Sequence, residues 1–159
     1  MGFCYNEIVN TKRKFALLRI AFGAIWGVDA FFKWQPAFFA NFVSYLSGNL
    51  DNQSYAVQQW INLWINVVGI NPQMFALFVA FIETAIAAML ILGVAPKITV
   101  WAGVMMSLVI WSTAEGFGGP YTAGYTDIGA AIIYILVFLA LYFGNAWEDL
   151  SAKNWTLGA

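Results

Sequence analysis

Histidine is absent from this chain, cysteine occurs once, at Cys4, and charged residues make up 9% of the 159 positions. Each shortage closes off a class of chemistry. Without histidine the chain cannot hold haem, zinc or copper through imidazole, and it cannot build a Ser-His-Asp triad. With one cysteine it cannot hold an iron–sulfur cluster on its own thiolates or close an internal disulfide. No metal site is expected. If electrons move through this protein, they pass by way of a quinone, a substrate or a partner subunit. The scarcity of charge has a different consequence, because ordinary soluble domains carry about a quarter charged residues. Hydrophobic residues reach 62%, a composition that suits a chain whose outer surface meets membrane lipid.

The apolar residues gather into four segments, over about 15–35, 73–94, 98–115 and 128–146. Each approaches the roughly 20 residues that a helix needs to cross about 30 Å of hydrocarbon. Pro36 closes the first, Asn71 and Pro72 open the second, and Gly93 to Pro96 separates the second from the third. The expected fold is therefore an all-α integral membrane protein, a single domain built as a four-transmembrane-helix bundle. The basic cluster ahead of the first segment resembles the start of a signal peptide. That segment is too long and lacks a small-residue cleavage site, so it is read as retained.

Orientation follows from the basic residues. Lys12, Arg13, Lys14 and Arg19 precede or begin the first segment, Lys97 sits in the short second turn, and Lys153 lies in the tail, whereas the loop over 116–126 has no basic residue. The positive-inside rule then places both termini in the cytoplasm of a multi-pass protein. Lys33 opposes the rule. The cluster reports orientation, and no nucleic-acid partner is expected.

Between the first two segments, about 36 residues are too polar to span and too apolar to hang free. Within 54–68, Gln58, Asn62 and Asn66 recur every four residues among Val57, Trp60, Ile61, Leu63 and Trp64. This pattern predicts an interfacial helix, along the outer membrane surface or over the mouth of the bundle. The two tryptophans fit an aromatic belt, and they could instead cap a cavity or dock a partner.

The informative residues are the ionisable ones inside the spans, since a charge at the centre of a membrane helix costs at least about 2.5 kcal/mol. Arg19, Phe22, Trp26, Asp29 and Lys33 share one stripe of the first helix, within roughly 80° at 100° per residue. Asp29 and Lys33 form an i,i+4 pair that could neutralise itself. Glu83, near the middle of the second segment, has no basic neighbour in its own helix, so its partner must come from elsewhere or it stays protonated. It is a candidate proton carrier or quinone hydrogen-bond partner. Glu115 ends the third helix and Asp127 begins the fourth, at a level expected to match Asp29 and Lys33, so that the four converge on one outer mouth. Asp127 or Thr126 could simply cap the fourth helix. The glycines of the connecting loop could turn backbone N–H groups toward an anion, or could only punctuate the chain.

Two stretches carry a family resemblance: Arg19 to Pro36, with Trp26, Asp29, Lys33 and Trp34, and Gly118 to Tyr134, with Pro120, Tyr121 and Asp127. Together they resemble the DoxD family, the membrane subunit of prokaryotic thiosulfate:quinone oxidoreductase, within the DoxX-like group. The resemblance implies a four-helix protein of the plasma membrane that works with a DoxA-like subunit. The pair would couple oxidation of thiosulfate to tetrathionate with reduction of a membrane quinone. It also admits an accessory or scaffold role beside terminal quinol oxidase subunits. On the enzyme reading, Glu83, Asp29 and Glu115 are the expected catalytic proton carriers. Arg19, Lys33, Trp26, Tyr121 and Asp127 are the expected binding residues.

Overall fold

The computed structural model describes residues 2–122 and 128–152. Those residues are built from helices: α1 (Gly2–Lys33), α2 (Pro36–Ala40), α3 (Phe42–Ser47), α4 (Tyr55–Gly69), α5 (Pro72–Leu92), α6 (Pro96–Ser112) and α7 (Ala130–Phe143), with a 3₁₀ turn over Gly116–Gly118. Two of them are long and apolar enough to cross a membrane, α1 over Asn10–Lys33 and α5. Helices α6 and α7 are apolar and shorter.

Punctuation in the sequence sets the boundaries. The last turn of α1 tightens, with Trp34 N–H donating to the Phe31 carbonyl and Gln35 N–H to the Phe32 carbonyl. Pro36 then restricts the residue before it and starts α2. Helix α5 opens on Pro72, with the Asn71 side chain accepting from Met74 N–H at 3.1 Å, and closes at Gly93 in a left-handed conformation, φ 67°. Pro96 begins α6.

Helix α1 lies mainly against α5, and α6 mainly against α7. Small residues let the backbones approach. A Cβ on Gly23 would stand 2.9 Å from that of Leu90, and a Cβ on Gly103 would collide with the ring of Phe138. The two pairs are joined by a knot of rings. Phe22 and Trp26 of α1 meet Tyr134 and Phe138 of α7 at centroid separations of 5.0 to 5.6 Å, edge-on or tilted as ring quadrupoles favour.

The vertical register is the unexpected part of the fold. Gly23 faces Leu90, near the end of α5, while Trp34, just past the end of α1, donates from Nε1 to Thr84 Oγ1 at 2.9 Å. Helix α1 therefore stops about halfway along α5. The N-terminal half of α5 packs instead on the short helices. Phe38, Phe42 and Leu46 from α2 and α3, Ile61 and Val68 from α4, and Ala76 from α5 form a second core. The segment expected only as one interfacial helix contains α2 and α3 as well. Its apolar i,i+4 steps from Phe38 to Phe42 to Leu46 are the pattern that builds this core.

Candidate functional site

Where α1 stops, its last turn meets the middle of α5. Lys33 Nζ donates to both oxygens of Asp29, at 3.0 and 2.9 Å, and stands 3.6 Å from Glu83 Oε2. The ammonium also lies 5.6 Å from the centre of the Phe38 ring, a cation–π contact. Glu83 is fully buried, the Lys33 side chain is 20% exposed and that of Asp29 is 52% exposed. Neither Glu83 oxygen has a hydrogen-bond partner among the described residues. One cation thus serves two carboxylates, and the buried one is held by charge alone.

This triad forms part of the wall of a cavity of about 770 Å³. Apolar and aromatic side chains make up most of the rest: Phe38 and Phe42 from the short helices, Trp64 from α4, Phe75 and Phe78 from α5, Met105 from α6. Among the described residues, its charged lining consists of Asp29, Lys33, Glu83 and Glu115. Glu115 is already engaged. Both of its oxygens accept from Ala131 N–H, at 3.2 and 3.1 Å, which caps the first turn of α7. Trp111 Nε1 donates to the Ile128 carbonyl at 2.8 Å and secures the same junction.

The structure gathers some of the residues singled out in the sequence and separates others. Asp29, Lys33, Glu83 and Glu115 line one cavity, with Lys33 reaching Glu83 rather than Glu115. Trp26 lies behind them in the aromatic knot, buried, with no partner for its indole N–H among the described residues. Tyr121 is exposed, its hydroxyl donating to the Phe117 carbonyl, and it does not line the cavity. The chain entering the glycine loop is held by the segment between α3 and α4: Asn49 Nδ2 donates to the Ala114 carbonyl and Gln53 Nε2 to the Gly116 carbonyl. Asp127, Thr126 and Lys153 lie outside the described residues.

Arg19 belongs to the opposite end of the bundle. It is fully buried, donates from Nη2 to the Leu150 carbonyl at 2.7 Å, and lies 5.7 Å from the Trp147 ring centre. A Cβ on Gly93 would collide with its guanidinium. Its place is a lock between α1, the α5–α6 turn and the tail, away from the cavity.

Phe38, Phe42 and Trp64 carried no signal as wall residues beyond the suggestion that a tryptophan of α4 could cap a cavity. Comparison with known proteins adds nothing to the geometry: no family model, no curated protein and no solved structure matches this chain.

Proposed function

We propose that this chain is a four-helix protein of a prokaryotic plasma membrane, spanning with α1, α5, α6 and α7, and that it is the quinone-binding subunit of a thiosulfate:quinone oxidoreductase. Composition, the two long apolar helices and the placement of Lys12, Arg13, Lys14 and Lys97 support the membrane reading with both termini cytoplasmic. The resemblance to the DoxD family supplies the reaction. One observation carries the site: an apolar cavity of about 770 Å³ whose polar end is Lys33 set between Asp29 and a fully buried Glu83. Pockets of this size with few convergent polar groups suit a small organic ligand.

Quinone reduction takes two electrons and two protons at the ring oxygens. The Lys33 ammonium is placed to donate to a ring oxygen and to favour the negative charge that builds there. Glu83 can hand over a proton once it has itself taken one up, and half-exposed Asp29 can pass another by way of Lys33. The electrons come from two thiosulfate ions, which join through a new S–S bond to give one tetrathionate. Three acids and one base make a poor binding site for two dianions. Thiosulfate oxidation is therefore assigned to a DoxA-like partner subunit, and quinone reduction to this chain.

The test uses membranes holding this chain with such a partner, supplied with thiosulfate and a decyl-substituted benzoquinone. Thiosulfate-dependent reduction is expected. Glu83→Gln, nearly isosteric but unable to give up a proton in the same way, should lower kcat about 100-fold with the KM for quinone little changed. A wild-type complex that shows no thiosulfate-dependent reduction, or a Glu83→Gln complex that turns over normally, would replace this reading with an accessory role beside a terminal quinol oxidase.

A further inference from the structure

Four large side chains line the cavity and are also open to the outside: Phe32 of α1, Tyr45 of α3, Phe78 of α5 and Met105 of α6. The last two belong to neighbouring helices in the chain, α5 and α6, which meet at a weak seam. Helices α5 and α6 are joined by a short turn, yet they pack on each other far less than α1 does on α5 or α6 on α7. Phe78 of α5 is 62% exposed and Met105 of α6 57% exposed, and Ala102, three residues before Met105 on α6, adds only a methyl group to the same wall. Phe78 stands about 7.5 Å along α5 from Glu83, at 1.5 Å per residue. The triad and the seam therefore lie within one small molecule's reach of each other.

The content of the cavity is constrained by its walls. A buried water needs two to four polar partners, and an apolar space without them stays dry. Away from the triad and the engaged Glu115, the wall is mostly hydrocarbon and aromatic rings, its other polar side-chain atoms being the hydroxyls of Tyr45, Thr113 and Tyr134 and the indole N–H of Trp64, so the larger part of the space favours an apolar filling.

From these observations we infer that the seam between α5 and α6 is a lateral portal for a tailed quinone. The ring sits at Asp29, Lys33 and Glu83, and the apolar tail runs past Ala102 and out between Phe78 and Met105 into the lipid. The inference rests on the quinone reading and adds to it the ligand class and its route: a quinone dissolved in the bilayer, entering sideways, rather than a soluble quinone entering from water.

The experiment uses the full chain in phosphatidylcholine nanodiscs and a benzoquinone whose decyl tail carries a diazirine at its tip. Irradiation followed by peptide mass spectrometry should place adducts at Phe78, Met105 and their neighbours, and excess unlabelled decylbenzoquinone should suppress them. Adducts at Phe32 or Tyr45 would show the tail leaving by another side and would overturn the portal. A second measurement compares Met105→Trp with wild type, using decylbenzoquinone and tail-less dimethoxybenzoquinone. The variant, which narrows the seam from an exposed position, should reduce the affinity ratio of tailed to tail-less quinone about tenfold, the loss of roughly two buried methylenes. An unchanged ratio removes the portal and leaves quinone binding standing. If wild type binds neither quinone, the portal falls together with the function it rests on.

Discussion

Replacing Lys33 by methionine tests the site most directly, because it removes the one positive charge from between two acids without removing the side chain's apolar length. At 3.6 Å from Glu83 and 2.9 Å from Asp29, the ammonium gains roughly 5 kcal/mol of Coulomb attraction from each carboxylate at an effective dielectric of 20, before desolvation is subtracted. Desolvation offsets most of that gain while the pair is intact, and the half-exposed Asp29 contributes least. Once Lys33 is gone, the offset turns into a penalty. Glu83, with no hydrogen bond of its own, becomes an uncompensated buried charge, and Lys33→Met should cost about 3 to 5 kcal/mol. Glu83→Gln leaves Lys33 bonded to Asp29 and should cost about 1 kcal/mol. In the double variant no buried charge is stranded, so the combined cost should fall at least about 2 kcal/mol short of the sum. Reversible unfolding in mixed detergent micelles, followed by helical circular dichroism, gives the three values. The reasoning is refuted if Lys33→Met costs no more than Glu83→Gln, or if the two costs simply add.

Two further substitutions examine the frame around the cavity. Glu115→Ala deprives the Ala131 N–H of its acceptor and should lower stability by about 1 kcal/mol, whereas Glu115→Gln, which can still accept, should lose less; thermal unfolding in detergent reads both. Gly103→Ala drives a methyl group into the Phe138 ring and should cost about 1 to 3 kcal/mol, with Phe138→Leu in the same chain restoring part of the loss in the same assay.

Hydrophobic runs, prolines and glycines made the helices readable from the sequence. The expected segments at 15–35, 73–94, 98–115 and 128–146 overlap α1, α5, α6 and α7, and the one at 54–68 overlaps α4. Periodicity also put Arg19, Trp26 and Lys33 on one face of α1, and all three turn inward to differing degrees. What a periodic pattern does not carry is the height at which one helix meets another. The sequence placed Lys33 level with Glu115 at a common mouth because both end a helix, on the assumption that helices of similar apolar length stand side by side. In the structure α1 is set low against α5, its Gly23 at Leu90. That offset of half a helix brings Lys33 to Glu83 and gives the latter the partner its own helix lacks. Arg19 is displaced by the same offset, landing beside Gly93 and the tail, where it locks rather than binds.

The half-length engagement of α1 accounts for the site as a whole. A helix that stops midway leaves its last carbonyls, the negative end of its dipole, beside the centre of its neighbour, where a cation in the final turn is favourable and a carboxylate is not. Lys33 occupies that final turn. It compensates the helix end and two acids at once, so Glu83 is tolerated in a fully buried position where an isolated carboxylate would be costly. Above the end of α1 the neighbour needs cover, which α2, α3 and α4 supply with rings at Phe38, Phe42 and Trp64. Short helices joined by turns cannot fill that space as closely as one continuous helix, and the space left over is the cavity. The charged triad and the room beside it are thus two results of a single event, the early end of α1. A variant that continued α1 past Lys33 by replacing Pro36 with Ala would be expected to lose both together.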